Sequence, residues 1–263
     1  MRIRSTRWSV LGWIVVTAGL LAGCAADARP KKTVIAAPST REVIQPGTVG
    51  NNAPADKRRG YFDFWNEQVV RQNVAVGTVF MGDSITELWE LAAYFVPPAG
   101  IIVNRGISGD TAEVMVRRFP ADVIQLRPRN VVILAGTNDV ARMQGAGVPD
   151  DEIVRSVTAS LGSMMDAARA AGINTLVCSI LPTNGDNKAH ADKKRVLPRI
   201  NEILMKLCDE KGCVYVDYWS RMTDADGDLP RDFARDGLHP HYAGYEVMAE
   251  VLLKAAAGNG LRL

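Results

Sequence analysis

Five short apolar runs constrain this chain more than anything else in it. They are Val76 to Met81, Ile101 to Asn104, Val131 to Ala135, Thr175 to Leu181 and Val214 to Val216. Segments of helical period lie between them. Ile153, Val157, Leu161, Met164 and Ala168 recur at three- and four-residue steps, which puts them on one helix face. Pro149 and Asp150 mark its start and Gly172 its end. Leu197 to Cys208 and Tyr245 to Ala256 read as further helices. Val114 to Leu126 reads as one kinked or split by Pro120. Strands alternating with helices predict an α/β fold, a parallel sheet with helices on both faces.

In open sheets of this kind, ligands bind outside the carboxyl ends of the strands. Four short words deserve attention on that ground: Gly82 to Thr86, Asn104 to Asp110, Gly136 to Asp139, and Asp236 to Pro240. Ser84, Gly106 and Asn138 each fall just past the end of an expected strand. The fourth word sets Asp236 and His239 three positions apart near the C-terminus. A serine hydroxyl is a poor nucleophile until a base takes its proton, and the base needs an acid to hold its tautomer. Ser84, His239 and Asp236 can fill those roles. The Ser84 and Gly106 amides and the Asn138 side chain can donate to an oxyanion.

In this order, the words resemble the SGNH subset of the GDSL esterases and lipases over roughly residues 75 to 252. Gly82 to Asp139 is most similar to platelet-activating-factor-acetylhydrolase-like and lysophospholipase-like bacterial members. The resemblance implies a flavodoxin-like three-layer α/β/α sandwich with no metal or cofactor. It also assigns Ser84, Asp236 and His239 to the triad, and Ser84, Gly106 and Asn138 to the oxyanion hole. The expected activity is hydrolysis of a short acyl ester on a carbohydrate or other small alcohol. A lysophospholipase or thioesterase is the alternative. A catalytically silent binding lipoprotein on the same fold is the rival from another class.

The N-terminus reads as a targeting segment. Arg2, Arg4 and Arg7 precede an apolar run from Val10 to Ala22, shorter than the ~20 residues a membrane span needs. The run leads into Leu21-Ala22-Gly23-Cys24, which resembles a lipobox and implies cleavage before Cys24 and lipidation of its thiol. Residues 1–23 are thus expected as a signal peptide. Residues 24–59 are expected as a lipidated cysteine and flexible tether punctuated by Pro30, Pro38, Pro46 and Pro54, and residues 60–263 as the enzyme domain in the cell envelope. Without the leader the chain carries 28 basic against 29 acidic side chains, about −1, which gives no electrostatic case for nucleic acid. In an oxidising compartment Cys208 and Cys213, which bracket an expected helix end and strand start, can pair.

Other residues compete for roles. His241 is a second candidate base, placed on the rim by the family pattern, and His190 lies among charged residues. Asp224, Asp226 and Asp228 lack the glycine and glutamate positions of a calcium loop. Phe62, Phe64 and Trp65 are expected in the core or as a staple. Trp89, Tyr94 and Phe95 are candidates to line a small acyl pocket.

Overall fold

The computed structural model describes residues 54–190 and 195–263. The expected leader, Cys24 and the tether through residue 53 lie outside them. Helix α1 spans Pro54–Arg71 and so starts six residues ahead of the expected boundary at residue 60. Its proline stands at the first helical position, where the missing N–H costs no hydrogen bond.

Five parallel strands follow: β1 (Val76–Gly82), β2 (Ile101–Gly106), β3 (Asn130–Leu134), β4 (Asn174–Cys178) and β5 (Val214–Val216), in spatial order β2-β1-β3-β4-β5. β4 ends three residues earlier than its apolar run. Its partner β5 is only three residues long, and beyond it Asn201 takes over the pairing. Its side chain accepts from the Ile180 amide at 2.8 Å and donates to the Ile180 carbonyl at 3.0 Å.

The connecting helices are α2 (Ser84–Glu87), α3 (Ala112–Asp122), α4 (Thr137–Gly145), α5 (Asp150–Ala170), α6 (Leu197–Lys211), α7 (Trp219–Met222) and α8 (Tyr242–Gly258). α3 continues through Pro120. The break falls at Val123, ahead of a 3₁₀ turn over Ile124–Leu126. Successive strand residues point to opposite faces, and two cores result. Val79, Met81, Val131 and Ile133 pack with the buried faces of α3, α5 and α6. Phe80, Val132, Leu134 and Leu176 pack with α8 and the segment after Ser84. This is the expected three-layer sandwich.

Cys178, Cys208 and Cys213 are free thiols. The expected Cys208–Cys213 bridge is absent here. Gly212, left-handed at φ 71°, turns the chain so that the Cys213 amide donates to the Cys208 carbonyl at 2.9 Å. The two side chains hydrogen-bond rather than join.

Candidate active site

β1 leads to the candidate nucleophile, Ser84. Past Gly82, Asp83 caps α2, its Oδ1 accepting the Ile85 amide at 2.9 Å. Ser84 is therefore the first residue of α2, where a backbone N–H has no intrahelical acceptor. α8 braces this short helix. The Tyr245 hydroxyl donates to the Ile85 carbonyl at 2.8 Å, and its ring stacks on Trp89 at 5.2 Å. Trp89 and Phe95 are 3% exposed and belong to the core around Phe80. They brace α2, and the expected acyl-pocket role for them is not what their packing serves.

The candidate base, His239, lies on the loop before α8. His239 Nε2 lies 2.9 Å from Ser84 Oγ, and Nδ1 lies 2.6 Å from Asp236 Oδ2. Asp236 Oδ1 accepts the amides of Leu238 and His239 at 3.0 and 2.8 Å. Partial burial raises the Asp236 pKa, but the His239 ring and those two amides outweigh it and hold the carboxyl below its ordinary value. Buried Asn184 anchors the loop, its amide donating to the Gly237 carbonyl at 3.1 Å and its Nδ2 to the Leu229 carbonyl at 2.7 Å. His241 is the N-cap of α8, accepting the Ala243 amide on Nδ1 at 3.3 Å. His190 is half-buried, with Nδ1 3.0 Å from Asn187 Oδ1, rather than out in solvent.

Asn138, near the start of α4, donates from Nδ2 to the Asp110 carbonyl at 3.0 Å. The same nitrogen donates to Asp83 Oδ2 over a longer 3.4 Å, the weaker of its two bonds. Gly106 requires a correction. Its amide donates to Asn104 Oδ1 at 2.9 Å, and a Cβ there would stand 2.1 Å from the Glu87 nitrogen. It is a glycine because β2 meets α2 at that point, and its N–H is already engaged. Along 106–112 every backbone amide has an acceptor among the described residues except that of Gly109. Gly109 is half-buried, left-handed at φ 76°, and next to the Asp110 carbonyl that holds Asn138. It is the glycine of this word whose donor is open.

Beneath the site lies a buried polar layer that the sequence reading missed. Burial pushes the Asp83 carboxyl up to about 7, with Asp139 nearby adding to it. Asp139 rises to about 6 by burial, although its oxygens accept the Ala112 amide at 2.9 and 3.1 Å. Burial also raises Asp110, against the pull of Arg118. Arg118 is fully buried. Its guanidinium bonds Asp110 Oδ2 at 2.7 Å, Asp122 Oδ2 at 2.9 Å, the Arg105 carbonyl at 3.0 Å and the Gly82 carbonyl at 3.0 Å. One side chain thus ties the ends of β1 and β2 to the loop carrying Gly109. The available signal was an arginine beside Met115 and Phe119 on the buried face of α3.

The order of strands reverses between β1 and β3, and the crevice there is where such sheets bind ligands. A hydroxyl, an imidazole and a carboxylate are joined in series at that crevice. The chain belongs to the GDSL-like Lipase/Acylhydrolase family, whose model matches residues 80–247, and it is a carboxylic ester hydrolase. It is 25% identical over 202 residues to an acetylxylan esterase of Geobacillus stearothermophilus, covering 67% of this chain and 91% of that protein. A GDSL-like lipase of Bacteroides thetaiotaomicron aligns with a TM-score of 0.59 at 29% identity, over 69% of this chain and 88% of that one. A protein of Streptococcus pneumonia named for platelet activating factor aligns with a TM-score of 0.63 at 24% identity, over 75% and 92%.

Proposed function

We propose that the protein removes short acyl groups, acetyl above all, from a carbohydrate or other small alcohol through an acyl-Ser84 intermediate. The observation that carries this reading is the Ser84–His239–Asp236 series, 2.9 and 2.6 Å between partners. His239 Nε2 takes the Ser84 proton as Oγ bonds to the ester carbon. The carbonyl electrons move onto oxygen, where the amides of Ser84 and Gly109 and the side chain of Asn138 receive them. Collapse breaks the bond to the alcohol oxygen, and His239 returns the proton to it. Water then repeats the sequence on the acyl-serine, releasing the acid and restoring Ser84. Asp236 stays ionised throughout and favours the imidazolium that forms at each step.

Two features support a short acyl group and a bulky alcohol. The aromatic side chains following Ser84 pack in the core around Phe80, and the recess that Trp89 and Phe95 border is shared with Arg58, Glu87, Glu90 and Asn104, unlike the apolar channel of a fatty chain, whose every buried methylene would be worth ~0.8 kcal/mol. The rim is open, with the side chains of His239 and Asp236 30% and 51% exposed. The acetylxylan esterase relative agrees with this choice of substrate. The test is kcat/KM across p-nitrophenyl acetate, butyrate, octanoate and palmitate, alongside acetylated xylooligosaccharides and lysophospholipids. The maximum is expected at acetate, with acetylated sugars accepted. A maximum at octanoate or longer, with lysophospholipid preferred, overturns the reading.

A further inference from the structure

The outward face of α1 is aromatic. A helix on a domain surface normally buries an apolar stripe and shows a polar one. In α1, Phe62 and Asn66 are buried with Val69 and Val70 packed behind them, while Tyr61, Phe64 and Trp65 are 65%, 62% and 45% exposed. The expectation that Phe64 and Trp65 join Phe62 in the core is therefore corrected. The steps 61, 64, 65 place these three rings on one outer stripe. Tyr61 and Trp65 lie 6.3 Å apart, and Trp65 rests against Phe62 at 6.0 Å, which holds the stripe in place from below. With Gly60 they are the described residues that line an open recess of about 540 Å³. Trp65 also borders a second recess of about 480 Å³, where Leu91, Pro97 and Ile101 mix with Arg58, Glu87, Glu90 and Asn104.

We infer that this stripe docks the domain on the headgroup region of an anionic lipid bilayer. Tyrosine and tryptophan rings settle where one end can be apolar and the other wet. Contiguous exposed apolar surface of this kind marks an interaction site. The sequence sets Lys57, Arg58 and Arg59 just ahead of the rings, the pairing of basic and aromatic residues that interfacial helices use. Arg58 is partly committed to Glu87. The chain outside the described residues points the same way. The lipobox-like Leu21 to Cys24 stands 29 residues ahead of α1, a span whose r.m.s. reach as a flexible linker is ~30 Å. The rings occupy the middle turns of the helix that this span enters.

The test uses residues 38–263, which leave out the lipobox-like cysteine. This chain is floated with vesicles of phosphatidylethanolamine and phosphatidylglycerol, and with vesicles of phosphatidylcholine alone. The expected result is flotation with the anionic vesicles, weakened by salt, and lost in the triple variant Tyr61→Ser, Phe64→Ser, Trp65→Ser. Hydrolysis of soluble p-nitrophenyl acetate should be unchanged in that variant. Brominated lipid should quench the wild-type tryptophan emission, and Trp65→Phe should float yet lose the quenching, a readout that stands even where the triple variant folds poorly. Equal flotation of the triple variant overturns the inference. So does a wild type that ignores vesicles and instead dimerises, or is retained on acetylated xylan, through these rings. None of these results bears on the ester chemistry, so the two readings fail separately.

Discussion

His239 and His241 sit two residues apart, yet one faces Ser84 Oγ and the other caps α8. The difference predicts that His239→Ala abolishes turnover while His241→Ala keeps most of kcat and lowers the melting temperature slightly, since a lost N-cap costs ~1 kcal/mol. The reverse pattern in paired kinetics and thermal melts would reassign the base. Asn138→Ala should lower kcat by about 10²–10³-fold with a smaller change in KM, the usual loss for one preorganised oxyanion donor. A change confined to KM would make it a substrate contact only. Asp83 carries a prediction of the other sign. Its folded pKa, about 7, lies above its ordinary 3.8, so the native state binds the proton more tightly than the unfolded chain does. Stability from this group is full below pH ~4 and declines as pH rises towards 7. Asp83→Asn keeps an acceptor for the Ile85 amide and should flatten that decline, melting higher than wild type at pH 8. Melting curves from pH 4 to 8 decide it, and a variant less stable at pH 8 than wild type would contradict the assigned burial cost.

The elements owe their positions to contacts of unequal visibility in the sequence. The strands were legible as apolar runs because both faces of the sheet are covered and most strand positions are buried. α5 was legible because its buried residues keep one period over 21 residues, between Pro149 and Gly172. α1 was not, since its inward face is interrupted by Asn66 and its outward face is aromatic, which blurs the period. The end of β4 was misread because Asn201, on α6, supplies a pairing that no local pattern announces. At this scale Gly106 and Arg118 matter most. Gly106→Ala would push a methyl against the Glu87 backbone at the junction of β2 and α2, and neither side can yield. Its expected effect is a fall of several degrees in melting temperature, read by circular dichroism, and an unchanged melt would contradict the packing role. The two glycines of the second word could not be told apart by spacing. Which amide stays open depends on where the Asn104 side chain bonds.

As a whole, the molecule places three of its words at strand ends and the fourth opposite them. Ser84 and Asn138 follow strands that are neighbours in the sheet, so their approach is fixed once the sheet forms. His239 comes 155 residues after Ser84, and only the folded chain brings them to 2.9 Å. The site was therefore readable as a set of residue types in order, while its buried support was not: Arg118, Asp110, Asp139 and Asp83 are polar residues placed in the core by long-range bonds. The central claim is that Ser84 is the nucleophile of an acyl transfer. The most direct test compares p-nitrophenyl acetate hydrolysis by wild type and Ser84→Ala, both shown to be folded. A kcat lower by at least about 10⁴-fold in the variant is the predicted result, because nucleophile and base act as one unit. A folded variant that keeps a tenth of wild-type activity would contradict the account.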